Sequence, residues 1–243
     1  VGSEMCIRDR YNSLFLLVIT LVISIPLSMG AGIYLSEYAK KGRFTNFIRT
    51  CIEILSSLPS VVVGLFGYLI FVVQFQYGFS IISGALALTV FNLPQMTRNV
   101  EDGLRNVHHT QREAGLALGL SRWETVVHVV IPEALPSIVT GIVLASGRIF
   151  GEAAALIYTA GQSAPALDWS NWNPLSVTSP ISIFRQAETL AVHIWKVNSE
   201  GTIPDATQVS QGSAAVLLIF ILIFNLSARY IGKKLHAKLT SVK

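Results

Sequence analysis

Residues 54–97 run for 44 positions without a single Asp, Glu, Lys or Arg. A hydrocarbon core about 30 Å thick is crossed by roughly 20 residues of helix. The run is therefore long enough for two crossings and too apolar to face water. Its polar break at Gln74, Gln76, Tyr77 and Gly78 predicts spans at 54–75 and 79–97. Residues 11–36 are also charge-free and predict a span at 13–35, with further spans at 137–160 and 213–231. A single strand leaves its backbone polar groups unsatisfied in lipid, so the spans are helices. The roughly 10-residue alternation of a barrel is absent. Over the whole chain 51% of residues are hydrophobic and 13% charged, about half the charge of an ordinary soluble domain. The fold class is all-α, integral to a membrane, with about five spans in one domain.

The basic residues orient these spans. Lys40, Lys41, Arg43 and Arg49 fall in one loop, and Arg98, Arg105, Arg112 and Arg122 in the loop 98–136. Arg229, Lys233, Lys234, Lys238 and Lys243 fall in the tail. All 13 lie on one side of the five-span arrangement, out of 18 Lys and Arg in total. The positive-inside rule makes that side cytoplasmic. The net charge of +4 is thereby explained without nucleic acid. Phe44, Phe47, Ile48, Cys51 and Ile52 recur at i, i+3, i+4, i+7 and i+8, the pattern of a short amphipathic helix lying in the membrane interface. The outer loop 161–212 is polar, and its Trp169, Trp172 and Trp195 suit interfacial anchoring. Residues 1–10, VGSEMCIRDR, carry four charges and match no signal peptide. They read as a foreign beginning with an earlier span missing, leaving 12–243 as the functional domain.

The cytoplasmic stretch 110–136 reads TQREAGLALGLSRWETVVHVVIPEALP. Thr110 with Glu113, and Ser121 with Glu124, have capping-box spacing. Gly119 stands where a first short helix should stop. Pro132 and Pro136 are expected to close the second helix and open the next span. Neither helix is long enough to persist alone, so the pair must pack on something. This stretch resembles the permease subunits of bacterial ATP-binding-cassette importers. Their pattern is Glu-Ala-Ala, three residues, Gly, nine residues, Ile, one residue, Leu-Pro. Glu113, Ala114, Gly115, Gly119, Val129, Ile131 and Pro132 keep that spacing, with Gly115, Val129 and Ile131 as small or apolar exchanges. The resemblance implies the type I importer permease fold, with this element as the coupling helix pair that docks on an ATPase. The chain itself has no GxxxxGK[ST] phosphate loop, so ATP belongs to a partner. No cofactor is implied. His108, His109 and His128 lack the Cys or carboxylates that would complete a metal site.

Arg148 is the twelfth and Glu152 the sixteenth residue of the 24-residue span 137–160. An ionisable group at mid-bilayer costs roughly 2.5–3.5 kcal/mol and faces a bundle interior or an aqueous path. At i and i+4 the two can pair, which would be a packing role. A guanidinium lining a path can instead bind an oxyanion in a bidentate manner. Gly141, Ala145, Gly147 and Gly151 form small-residue faces that permit close helix approach.

The stretch 147–156, Gly-Arg-Ile-Phe-Gly-Glu-Ala-Ala-Ala-Leu, is similar to Gly-Arg-Ala-x-Gly-Glu-Thr-Ala-Pro-Leu of the A-type permease of phosphate-specific importers, with Ala153 and Ala155 for the Thr and the Pro. The resemblance extends to Asn173-Pro174-Leu175-Ser176 and Glu188-Thr189-Leu190-Ala191 in the outer loop. It places Arg148 and Glu152 at the family's pathway positions and implies six spans in the full family. It further implies a bacterial inner-membrane location with the coupling loop and C-terminus cytoplasmic. The partners implied are a second homologous permease, two ATP-binding subunits, and a phosphate-binding protein on the outer face. The residues leave other readings open: a permease for molybdate or sulfate, or a gradient-driven transporter or channel. An intramembrane enzyme lacks a nucleophile–base or metal set.

Overall fold

The computed structural model describes residues 2–40, 42–200 and 205–240, with side chains from Ile7 to Lys238. Every regular element among them is helical. Helix α1 (Gly2–Ile33) continues into a π-helical turn at Tyr34–Tyr38. Helix α2 (Arg43–Ser56) leaves Phe44 and Phe47 exposed, as a helix resting on lipid requires. Leu58 and Pro59 break the chain before α3 (Ser60–Gly67), which is extended by π-helix at Tyr68–Gln74. Helix α4 (Ile81–Arg105) leads to α5 (His109–Ala117) and α6 (Arg122–Thr125). A π-helical stretch, Val126–Val130, joins α6 to α7 (Ile131–Gly151). The short α8 (Ala154–Thr159), α9 (Leu190–Glu200) and α10 (Ala206–Thr240) complete the order.

Five spans were the sequence expectation. By length and apolarity, Ile7–Tyr38, Arg122–Gly151 and Ala206–Lys238 qualify, and a fourth if the pair Arg43–Ser56 and Ser60–Gln74, bent by 98°, counts as one. Helix α4 falls short because its last turns carry Arg98, Glu101, Asp102 and Arg105. The expected start at Ile54 is displaced to Ser60, because Pro59 sits at φ −61°, ψ 137° and caps α3 from an extended conformation. The expected span 137–160 is broken at Glu152 and Ala153, between α7 and α8. Pro132 and Pro136 do not close a helix; both lie inside α7 and within the continuous 30-residue helix Arg122–Gly151. The π-helical stretch just before Pro132 shifts the hydrogen-bond register there, the usual way a helix absorbs a missing donor. The segment 161–212 carries α9 and the first turns of α10.

The contacts divide into two compact units. The first holds residues 1–23, 58–91 and 146–222. Its core contains Leu16, Leu17, Ile81, Leu88, Leu156, Leu190 and Val192, each at most 2% exposed. Helices α3 and α8 pack tightly within it because Gly64 has no side chain; a Cβ there would lie 2.7 Å from Ala155 Cα. The second unit holds residues 24–57, 92–145 and 223–243. Val100, Leu104, Val107, Val130, Ala134 and Ile138 form its core, with Met29, Ile33 and Ile142 packed against them.

Candidate functional site

In the second unit the coupling pair takes the helix–turn–helix form expected of it. Gly119 sits at φ +83°, the left-handed region that glycine occupies without strain. The Gly119 and Leu120 amides donate to the Leu116 and Gly115 carbonyls and close α5. Ser121 and Glu124 form a complete capping box: Ser121 Oγ accepts from the Glu124 amide at 3.2 Å, and Glu124 Oε2 from the Ser121 amide at 2.8 Å. The expected box of Thr110 and Glu113 is not formed. Helix α5 starts two residues earlier than that box requires, with His108 as an N-cap lacking a side-chain bond. Thr110 is thus already inside the first turn, and the Glu113 carboxylate lies 3.2 Å from His109 Nδ1 instead.

Glu113 and Ala114 are exposed, whereas Gly115 is buried against α6. A Cβ on Gly115 would stand 2.8 Å from Thr125 Cγ2, which accounts physically for glycine where the importer pattern has alanine. Val129 and Ile131 are half-buried and Pro132 is buried, with the Pro132 carbonyl 3.0 Å from His236 Nδ1. Leu116, Leu118 and Trp123 face outward, Leu118 at 83% exposure. This apolar ridge was not singled out from the sequence, although its signal was there: leucines flanking a glycine turn in a charged loop.

Arg112 also escaped sequence reasoning. Its guanidinium donates to Val107 O at 2.7 Å, to Leu104 O at 2.6 Å, and to both carboxylate oxygens of Glu37 at 2.9 and 3.3 Å. Nearby, Arg49 Nε donates to Glu101 Oε1 at 2.9 Å, tying α2 to α4.

In the first unit, Arg148 and Glu152 take separate partners rather than each other. The Arg148 guanidinium carbon lies 4.6 Å over the Phe91 ring, and its side chain is exposed on α7. Glu152, in the break between α7 and α8, accepts the Ala155 amide at 3.1 Å. The glycine faces also divide. Gly141, in the second unit, lies against Asn99, as close helix approach demands, while nothing lies within 4 Å of a Cβ built on Gly147 or Gly151. The open face of α7 thus carries Leu144, Gly147, Arg148 and Gly151.

Residues 8–9 and 185–193 of this unit hold a buried polar group that the sequence did not reveal. His193 Nδ1 is 3.0 Å from Glu188 Oε1 and 3.5 Å from Asp9 Oδ2. The hydrogen bond to Glu188 raises the His193 pKa above its ordinary 6.5, with the Asp9 and Glu188 charges adding to it and burial opposing. These three are the one metal-capable trio among the described residues; His108, His109 and His128 are not brought together into one. Arg8 lies 3.3 Å from Asp9 Oδ1 and 3.8 Å from Glu188 Oε2, on the carboxylate oxygens other than those nearest His193. Arg185 is 1% exposed and donates to the Gln186 and Pro180 carbonyls, each at 3.3 Å. Desolvation lowers its pKa to about 10.

Among known proteins, the chain is 58% identical over 236 residues to a probable ABC transporter permease protein, YqgI, of Bacillus subtilis (strain 168), covering 97% of this chain and 80% of that one. It is 36% identical over 207 residues to phosphate transport system permease protein PstA 2 of Mycobacterium tuberculosis (strain CDC 1551 / Oshkosh). That match covers 84% of this chain and 64% of the relative, so this chain spans less than two thirds of that relative's length. In solved structures, the inward-facing MetNI methionine ABC transporter superposes with a TM-score of 0.64 at 17% identity, over 96% of this chain and 94% of that one. At such identity the superposition speaks for the fold alone, and it agrees with the permease fold expected from the coupling loop. Residues 24–241, nearly the whole chain, match the family described as the binding-protein-dependent transport system inner membrane component, and to that family this protein belongs.

Proposed function

We propose that the chain is the membrane-spanning permease of an ATP-driven phosphate importer. It forms half of a translocation pore, and a second homologous permease forms the other half. Two ATP-binding subunits dock on the cytoplasmic loops of the two permeases, here on α5 and α6, where Glu113, Ala114 and the ridge of Leu116, Leu118 and Trp123 are exposed. Gly115, Gly119, Val129, Ile131 and Pro132 shape that element from within. Hydrolysis of ATP resides in those subunits, and a phosphate-binding protein delivers substrate at the outer face. The protein lies in the bacterial inner membrane with the coupling loop and C-terminus cytoplasmic. Closure of the ATPase pair displaces the coupling helices and switches the pore between inward- and outward-facing forms.

The observation that carries the substrate is Arg148, with Glu152 beside it in the pathway. Arg148 is exposed on the open face of a helix long and apolar enough to span, and its carboxylate neighbour is engaged by the Ala155 amide. Its positive charge is therefore available to an anion, and a guanidinium fork matches phosphate oxygens geometrically. The name of the mycobacterial relative, a phosphate transport permease, supports the same substrate. The test is uptake into liposomes holding the co-purified complex. ATP-dependent accumulation of labelled phosphate in preference to sulfate and molybdate is expected. Preference for either of those anions would transfer the site to another oxyanion. Uptake driven by an ion gradient without any ATPase would overturn the importer reading.

A further inference from the structure

We propose that Arg112 is the joint that fixes the coupling helices to the ends of α1 and α4, so that the three move as one body when an ATPase engages α5. The inference rests on the permease reading above and adds the residue through which force passes.

Arg112 projects from α5, yet none of its contacts named here stays on that helix. Nη1 donates to Val107 O at 2.7 Å and Nη2 to Leu104 O at 2.6 Å. Leu104 is in the last turn of α4 and Val107 just beyond it, where helix carbonyls lack intrahelical donors. Nη2 and Nε also grip Glu37 Oε1 and Oε2 at 2.9 and 3.3 Å. Glu37 belongs to the π-helical turn that ends α1, and Ser36 Oγ donates to its Oε1 at 2.9 Å. One planar group thus uses its whole fork on two helix ends, with side-chain exposures of 19% for Arg112 and 13% for Glu37.

A forked, charge-assisted contact that is partly buried is directional as well as strong. Beneath it, Leu104 and Val107 sit in the closed apolar core of the unit with Val130 and Ala134. Close-packed cores shift between arrangements rather than deform smoothly. A push on α5 is therefore passed through Arg112 to both helix ends instead of being absorbed in the loop 106–108. Lysine, a point donor on a flexible stem, cannot hold both carboxylate oxygens and two carbonyls in one plane.

The test places spin labels at Tyr38→Cys and at Thr110→Cys in the first turn of α5, both exposed, in a cysteine-free background, within the complex purified with its ATPase. The distance between labels is read without nucleotide and in the ATP-trapped state. In the wild-type joint the distance is expected to stay the same while the complex changes state. With Arg112→Lys it is expected to broaden or shift on trapping, with transport per ATP falling at least tenfold and ATPase co-purification kept. A distance that changes in the wild-type background overturns the joint alone. Equal loss of ATPase association and transport in Arg112→Lys reduces the residue to a fold staple and also overturns it. A wild-type chain that holds no ATPase overturns the permease reading, and the joint with it.

Discussion

At the scale of single residues, Arg148 separates a pathway role from a packing role. Because Arg148 lies over Phe91 and Glu152 holds the Ala155 amide, removing the guanidinium does not strand the carboxylate. The contact with Phe91 is worth roughly 0.5–1 kcal/mol, too little to threaten assembly. A charge-assisted contact with an anion is worth about 1.5–3 kcal/mol, a tenfold or greater effect. Arg148→Gln is accordingly expected to cut phosphate uptake at least tenfold in an intact complex, and the double variant with Glu152→Gln to stay inactive. Uptake restored by the double variant would assign Arg148 to charge balance instead. His193 gives a second residue-scale outcome. Its pKa is held above 6.5 chiefly by the Glu188 hydrogen bond. The stabilisation is therefore fully present below about pH 6.5 and is lost as pH rises through the elevated folded value. An NMR titration should place the His193 midpoint above 6.5, and Glu188→Gln should lower it and flatten the pH dependence of unfolding. An unmoved midpoint would show that the pair does not interact in the folded chain.

At the scale of elements, the coupling pair shows what local sequence specifies and what it leaves to tertiary contact. Gly119 and the Ser121–Glu124 box were legible because each is settled within four residues: a left-handed turn needs glycine, and a cap needs its partner at N3. Arg112 and Glu37 lie 75 residues apart, and no spacing rule joins them. Thr110 and Glu113 have the spacing of a cap, but the chain begins α5 at His109 and pairs Glu113 with that histidine. Pro132 reads as a helix end because the π-helical stretch Val126–Val130 that accommodates it has no sequence rule of its own. Gly115 reads as a tolerant exchange for alanine, and the packing makes it the stricter choice. Gly115→Ala puts a Cβ 2.8 Å from Thr125 Cγ2, an overpacking that typically costs about 1–3 kcal/mol. Thr125→Ser removes that methyl while keeping the hydroxyl bonded to Ser121 O. Gly115→Ala is therefore expected to weaken the α5–α6 contact and ATPase co-purification, and the pair of substitutions to restore both. Failure of the second change to rescue the first would mean that the close approach does not decide the residue.

At the scale of the whole molecule, the all-helical membrane class was readable because lipid imposes it: charge-free runs of this length have no other stable home. The number and ends of the spans were less readable. Charge counting cannot see the 98° bend at Pro59 or the break at Glu152, nor recognise that α4 carries its charges within a continuous helix. Orientation rests on a different quantity, the placement of Lys and Arg about the spans. In the five-span arrangement, 13 of 18 basic residues fall on the side of the loop 98–136 and the C-terminal tail, whereas the segment 161–212 has Arg185 and Lys196 against Asp168, Glu188, Glu200 and Asp205. Cysteines placed at exposed Ser170 and exposed Lys238 are expected to react with a membrane-impermeant reagent from opposite sides, Ser170 from outside and Lys238 only after permeabilisation. Moving a break or a bend by several residues leaves this outcome unchanged, because one candidate span, Ala206–Lys238, separates the two labels. Labelling of both from the outside would place the coupling loop and tail on different faces, and an ATPase could not then dock where the cytoplasmic charge predicts.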